Sequence, residues 1–207
     1  MKLSAFIVSL SFSFCVSAQT FSEKTTTASN VRLNVSNSGT FGNAFRGYRD
    51  GSGNPSGEYP AGSGVEHLFE SGIWFGGLIN GSTVAVSTAA VDAPQGYSTG
   101  SAGFEFYPEP GATLKEISSL RNSPYYNTSA VSHQDFVATF SDKNVKVPGT
   151  NTQIGSHLDP LFVQINAKSY NWNYSFSDFF VILDYELENI GTNTIDSAFF
   201  GLWANTV

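Results

Sequence analysis

Apolar and polar residues alternate along several short stretches of this chain, most clearly in the C-terminal segment 170–207. Between Phe180 and Glu188 every second residue is apolar, and three of the intervening residues are acidic. A period of two with one polar side is typical of a half-buried strand. Residues 189–193 supply turn chemistry around Gly191, and a second strand runs from Thr194 to Trp203. Because this second strand is apolar on both faces, we expect the pair to be a central hairpin, with its second strand covered on both sides.

A second pair of strand patterns flanks Asn80-Gly81. Residues 67–79 and 82–91 are the two arms, and both turn residues tolerate positive φ, which favours a two-residue hairpin turn. Gly76-Gly77 beside Trp74 predicts a bulge or a close approach of another backbone. We interpret Trp74 as a residue that packs in the core or on the sheet.

Further strand patterns lie at 30–36, 104–107, 135–140 and 159–167, with turn residues between them. Residues 113–120 are the one segment with apolar residues at helical spacing. The sequence therefore predicts an all-β fold, an antiparallel β-sandwich or jelly roll, with long Gly/Ser/Asn-rich loops and at most one short helix.

The N-terminus predicts a secretory signal peptide over residues 1–18. Lys2 is the positive residue, an apolar stretch follows, and a small-residue site places the cleavage between Ala18 and Gln19. The apolar stretch is too short to span a membrane, and no later stretch is long enough. We expect residues 19–28 to be a disordered lead-in, residues 29–207 to be the sandwich region, and the mature protein to be secreted or displayed on the outer cell surface.

Composition excludes several classes of function. The single cysteine, Cys15, lies in the predicted signal, so the mature chain has neither a disulfide nor a thiolate site. The net charge is −7 and no run of Lys or Arg is present, which argues against nucleic acid and anionic membranes as partners. Only 13% of residues are charged while 41% are hydrophobic, as in extracellular β proteins with polar loops.

A catalytic site is not predicted. His67, His133 and His157 are scattered, and for the last two, at the starts of strands, we expect hydrogen bonds to the backbone. Asp135 and Asp142 bracket one strand and are too far apart to act as a glycosidase pair. We therefore predict a non-catalytic chain, with an enzyme as the minor alternative.

No cofactor is predicted, and calcium is a weak alternative. Residues 50–61 begin like a calcium loop, but Pro55 stands where the turn glycine is needed and Ala61 where a bidentate Glu is needed. Calcium bound in another manner stays open.

Aromatic side chains suggest a carbohydrate site. Tyr170, Trp172 and Tyr174 share one face of a predicted strand and could stack on sugar rings, together with Tyr125 and Tyr126. The alternative is that these rings fill the core between the sheets.

Four segments resemble the N-terminal β-rich region of large secreted proteins of Bacteroidota and related phyla, exported by the type IX secretion system. They are residues 68–77 (LFESGIWFGG), 132–142, 157–172 and 179–203. The resemblance implies export through that secretion machinery, a β-rich region without an assigned biochemical role, and a C-terminal sorting domain that this chain does not contain. One departure is Asn205, where the family usually has an aspartate, which puts a metal role there in doubt.

Two expectations follow for the whole chain. We expect the sandwich to be truncated at Val207, since so apolar a strand needs neighbours. We predict a structural or interaction role, with a carbohydrate-binding or accessory module of a secreted hydrolase as the alternative; the partners are then a surface polysaccharide or a protein.

Overall fold

The structure, a computed structural model, describes residues 20–42, 54–90, 103–148, 151–155 and 157–207. The predicted signal peptide and its cleavage site at Ala18 and Gln19 lie outside these residues, as do residues 43–53. The described residues contain twelve strands and no helix. The strands are β1 (Glu23–Thr25), β2 (Arg32–Ser36), β3 (Thr40–Phe41), β4 (Gly57–Glu58), β5 (Leu68–Ile79), β6 (Thr83–Thr88), β7 (Tyr107–Pro108), β8 (Lys115–Ile117), β9 (Gln134–Ser141), β10 (Val163–Asn171), β11 (Ile182–Asn189) and β12 (Ile195–Thr206).

These strands form two antiparallel sheets, which confirms the predicted all-β sandwich. The first sheet has the order β1-β2-β3-β5-β12, with β4 beside β2 and β6 beside β5. The second has the order β11-β10-β9-β7, with β8 also beside β9. The core lies between them: Ile73 and Phe75 of β5 belong to the same buried cluster as Phe136 and Phe140 of β9 and Ile165 of β10.

The hairpin at Asn80-Gly81 is confirmed, but the expected two-residue loop is wrong: Ile79 pairs with Thr83, so the loop has three residues, 80–82. β5 and β6 pair in register from Trp74–Thr88 to Ile79–Thr83, and both turn residues have positive φ, 50° and 71°. The predicted close approach of another backbone at Gly77 is also present, because a Cβ there would lie 3.2 Å from the Asp196 carbonyl oxygen, and it would meet the Ile195 side chain at 2.6 Å. The bulge itself is on the opposite strand, where the β12 register shifts between Asp196 and Phe199.

The prediction for the C-terminal pair is wrong in two respects. β11 and β12 do not form a hairpin, because β11 pairs with β10 and β12 with β5, so the turn at 190–194 leads from one sheet to the other. Nor is β12 a covered central strand, since it is the last strand of its sheet among the described residues and most of it is exposed.

Two smaller expectations also fail. The segment 113–120 is not helical: Lys115–Ile117 forms β8, because these residues pair with β9 in an antiparallel ladder. The lead-in 19–28, expected to be disordered, contains β1, which pairs with β2, and Thr26 is fully buried there.

Candidate functional site

The aromatic residues singled out in the sequence lie together beyond the C-terminal end of β10. The strand ends at Asn171, so only Tyr170 is on it, whereas Trp172 and Tyr174 belong to the irregular segment that follows. The Tyr170 and Trp172 ring centroids are 6.2 Å apart with an interplanar angle of 39°. Tyr174 stacks on Phe176 at 5.3 Å and 9°. We call Tyr170, Trp172, Tyr174 and Phe176 the aromatic surface.

The aromatic surface is not part of the core, so the core-filling alternative is wrong for these rings. Tyr174 is 49% exposed and Phe176 74%, while Tyr170 and Trp172 are half-buried. Sequence reasoning missed Phe176, although it continues the same alternation as Tyr170, Trp172 and Tyr174. Stacked, exposed rings offer the flat apolar faces on which a sugar ring packs.

Polar groups border the aromatic surface. The Tyr170 hydroxyl donates a hydrogen bond to Asp184 Oδ2 at 3.2 Å. Partial burial, and then Asp184, raise the pKa of Tyr170, so this phenol stays a donor at neutral pH. On the other side, the His133 ring meets the edge of Tyr174 at 4.6 Å, and His133 Nδ1 accepts a hydrogen bond from the Asn173 N–H at 3.2 Å. The surface thus combines ring faces with fixed polar atoms.

Tyr125 and Tyr126 are also exposed, in the loop that follows β8. The Lys24 ammonium lies 5.4 Å from the centroid of the Tyr125 ring, at cation–π distance, and bonds Glu116 at 2.9 Å. This contact joins Tyr125 to β1 and gives it a structural role.

An apolar groove of about 490 Å³ lies on the first sheet, over the junction of β5, β6 and β12. Trp74, Val86 and Phe199 stand around Gly76 and Gly201. Trp74 is 47% exposed, so of the two interpretations given above, packing in the core is wrong, and the ring lies on the outer face of the sheet. A Cβ built on Gly201 meets no atom within 4 Å, which leaves open space beside Trp74.

β11 and β12 bound one side of the sandwich, which we call the open side. Among the described residues each of these strands has a neighbour on one edge alone. Phe200 and Leu202 lie opposite Phe75 and Ile73 of β5 and therefore face the interior, yet they are 41% and 56% exposed. The Tyr185 ring of β11 lies 5.5 Å from the Phe200 ring and joins the two sheets there. The open side thus exposes residues from core-facing positions.

The buried aspartates hold the fold together. Asp142 accepts hydrogen bonds from the Ser87 hydroxyl at 2.7 Å and from the Leu161 and Val163 N–H groups at 2.8 Å. Asp135 accepts from the Val131 and Ser132 N–H groups in the same manner. Both carboxylates are occupied by local donors, as expected for structural caps.

The histidines bond to the backbone. His157 is buried, and its Nε2 lies 2.6 Å from the Asp142 carbonyl oxygen, while His67 Nε2 lies 2.9 Å from the Tyr59 carbonyl oxygen. His133 accepts a hydrogen bond from the Asn173 N–H, as described above. The expected hydrogen bonds to the backbone are therefore confirmed for His133 and His157.

Among the described carboxyl groups, the pKa of Glu105 is the one that burial raises most clearly. It is 2% exposed, and burial raises the pKa of its carboxyl, an effect that backbone N–H groups and His157 oppose. Within the described residues, no group of three or more His, Cys, Asp or Glu side chains could hold a metal ion. Of the segment 50–61, which the sequence excludes as a calcium loop, residues 50–53 lie outside the described part of the chain.

Comparisons with known proteins add no relative. No protein-family model, curated protein or solved structure matches the chain at a significant level. In the described part of the chain, no helix is long and apolar enough to cross a membrane.

Proposed function

We propose that this chain is a non-catalytic β-sandwich region of a larger secreted or cell-surface protein, and that it acts by contacting other macromolecules. The observation that carries the proposal is the open side, where Phe200 and Leu202 occupy core-facing positions and are exposed. Contiguous exposed apolar residues of this kind mark interaction surfaces in folded proteins. The occupation of Asp135 and Asp142 by structural hydrogen bonds supports a non-catalytic role.

The setting rests on the signal-peptide pattern and on the resemblance to proteins exported by the type IX secretion system. Export is tested by expressing the full chain in a bacterium that has this system and by N-terminal sequencing of the extracellular product. We expect a mature N-terminus at Gln19 for any exported product. A chain that stays in the cytoplasm with Met1 intact would contradict the proposed localisation.

The interaction role is tested with Leu202→Ser, compared with Val131→Ser in the loop before β9. Val131 is 58% exposed, close to the 56% of Leu202, and it lies outside the open side and the apolar groove. We expect the wild-type chain to bind an apolar fluorescent dye and to self-associate at high concentration, as measured by sedimentation. Leu202→Ser lowers both signals more than Val131→Ser, while the free energy of unfolding changes by less than about 1 kcal/mol.

A wild-type chain that binds no dye and stays monomeric, with a loss of several kcal/mol in Leu202→Ser, would show that Leu202 belongs to a closed core. That result would contradict the proposed interaction role.

A second candidate function, carbohydrate binding, is favoured by the aromatic surface. Exposed rings of Tyr174 and Phe176 stack with a 9° interplanar angle next to Trp172. Glycan-array binding of wild type, Trp172→Ala and Trp74→Ala tests it, the last being a half-exposed tryptophan on the other sheet. Binding that Trp172→Ala abolishes and Trp74→Ala retains is expected for a sugar site. Absence of binding by the wild-type chain would eliminate this candidate.

A further inference from the structure

The outward face of β11 carries a row of negative charge. Asp184, Glu186 and Glu188 alternate along it and are exposed. Their cross-strand neighbours on β10 are Lys168, Asn166 and Gln164, so a cation stands opposite only Asp184. On the other edge of β11 the structure places no strand among the described residues. The acidic row is therefore uncompensated along that edge.

The inward face of the same strand is apolar. Leu183, Tyr185 and Leu187 face the interior because they pair with Ser169, Ala167 and Ile165 of β10, all buried. They are only partly buried themselves, and Tyr185 contacts Phe200 across the open side. If a further strand paired with β11, an inward side chain beside Tyr185 would contact both β11 and the exposed Phe200.

The backbone of β11 presents free hydrogen-bonding groups to that edge. The Ile190 N–H bonds the Phe162 carbonyl at 2.9 Å, and the Asp142 N–H bonds the Val163 carbonyl at 3.2 Å. Because the groups of successive residues in a strand point to opposite edges, the N–H groups of Asp184, Glu186 and Glu188 point to β10. Those of Leu183, Tyr185 and Leu187 point to the free edge. Unpaired groups in such a row are a template for a further strand.

We propose that the free edge of β11 binds an extended segment of a partner polypeptide that alternates apolar residues with Lys or Arg. Its backbone pairs with the free N–H and C=O groups between Leu183 and Leu187. Its apolar residues cover Tyr185 and Phe200 on the inside, and its basic residues lie beside Glu186 and Glu188 on the outside. A partner segment with Lys or Arg is complementary in charge to Glu186 and Glu188, whereas a second copy at the edge of β11 would bring two acidic rows together, which is unfavourable.

This inference deepens the proposed interaction role and rests on it. The test uses the full chain and fluorescent peptides of eight residues, the length of β11. One peptide alternates Val and Lys, one alternates Val and Glu, and one has four Val followed by four Lys. Affinity is measured by fluorescence anisotropy at a salt concentration of about 0.1 M, where charges more than about 10 Å apart are screened.

We expect the alternating Val/Lys peptide to bind about tenfold more tightly than either of the others, since opposite-charge cross-strand pairs stabilise and like-charge pairs destabilise. Glu186→Lys reduces this preference, and Glu186→Lys with Glu188→Lys reverses it in favour of the Val/Glu peptide. Asp159→Lys, which makes the same change of charge outside β11, leaves the order unchanged; Asp159 is also exposed.

Methylation of the peptide nitrogens separates strand addition from a simple charge effect. Two versions of the Val/Lys peptide are methylated either at all Val nitrogens or at all Lys nitrogens. Only one edge of an added strand faces β11, so one version loses binding and the other retains it.

Equal binding of both methylated versions, or equal binding of alternating and block peptides, would overturn strand addition. So would a dimer through β11 that excludes the peptide. If peptide binding fails while Leu202→Ser still lowers dye binding and self-association, only the inference about β11 is lost and the proposed interaction role stands.

Discussion

Leu202 of β12 lies directly opposite Ile73 of β5, on the same inward face of the first sheet, yet Ile73 is fully buried and Leu202 is 56% exposed. The difference arises because β9 and β10 of the second sheet contribute the core residues around Ile73, while on the other side β11 is the last strand that the described part of the chain contains. Ile73 on β5 therefore lies in the closed core, and Leu202 on the neighbouring strand β12 lies on the open side.

This relationship predicts different costs for the same truncation at two paired positions. Ile73→Ala removes methyl groups from a packed site and lowers the free energy of unfolding by about 2–5 kcal/mol. Leu202→Ala removes groups that are largely hydrated already and costs less than about 1 kcal/mol. Urea denaturation of both variants measures the difference, and equal costs would contradict the assignment of Leu202 to the open side.

Asp142 is predicted to be the most sensitive polar residue described. Asp142→Ala leaves the Ser87 hydroxyl and the Leu161 and Val163 N–H groups without their acceptor and lowers the free energy of unfolding by about 3 kcal/mol or more. Ser87→Ala removes a single donor and costs about 1 kcal/mol. Chemical denaturation again provides the measurement; similar costs for the two variants would show that the backbone donors find other partners.

The raised pKa of Glu105 predicts that the free energy of unfolding depends on pH. Burial raises the pKa of its carboxyl above the ordinary value of 4.5, so the folded state holds this proton more tightly than the unfolded state. The associated stability is fully present below the unfolded pKa and is lost as the pH rises through the folded pKa. The Glu105→Gln variant has no ionisable carboxyl at this position, so it does not lose this stability as the pH rises. The free energy of unfolding of the variant, relative to wild type, should therefore increase from about pH 4 to about pH 8.

Measuring that difference by denaturation across the pH range checks the sign. A difference that is independent of pH, or that decreases as the pH rises, would mean that Glu105 ionises in the folded state as easily as in the unfolded chain.

We expect Gly→Ala substitution to lower the free energy of unfolding at Gly81 and to leave it nearly unchanged at Gly201. Gly81 has φ of 71° in the β5–β6 turn, so Gly81→Ala costs about 1–2 kcal/mol. Gly201 has open space at its Cβ position, and Gly201→Ala should be tolerated within about 0.5 kcal/mol. Thermal unfolding compares them, and a larger cost at Gly201 would indicate that the groove beside Trp74 is closed.

The strands and the first hairpin could be predicted because their signals are local. Alternation located β9, β10 and β11 to within a few residues, and Asn80-Gly81 has the turn chemistry that its positive φ values require. The helix expected at 113–120 is absent, so apolar residues spaced three apart did not determine the conformation of this segment. Leu114 is buried in the core whereas Leu120 is exposed, because pairing with β9 determines the conformation there.

The placement of β12 could not be predicted, since it depends on contacts that are distant in the sequence. The turn at 190–194 suits a hairpin equally well. It is fixed instead by the β5–β6 turn, because the Asn80 N–H bonds the Thr194 carbonyl at 3.0 Å and Asn80 Oδ1 accepts from the Thr194 N–H at 3.1 Å. The aromatic surface was partly predictable from the spacing of Tyr170, Trp172 and Tyr174, but its position outside the core follows from the end of β10 at Asn171.

Amide hydrogen exchange along β11, followed by NMR in the monomeric chain, tests most directly that the sandwich has an open side. We predict an alternating pattern: slow exchange at Asp184, Glu186 and Glu188, whose N–H groups bond β10, and fast exchange at Leu183, Tyr185 and Leu187. Uniform protection of all six amides in a monomer would contradict the account, because it would mean that the free edge of β11 is already paired.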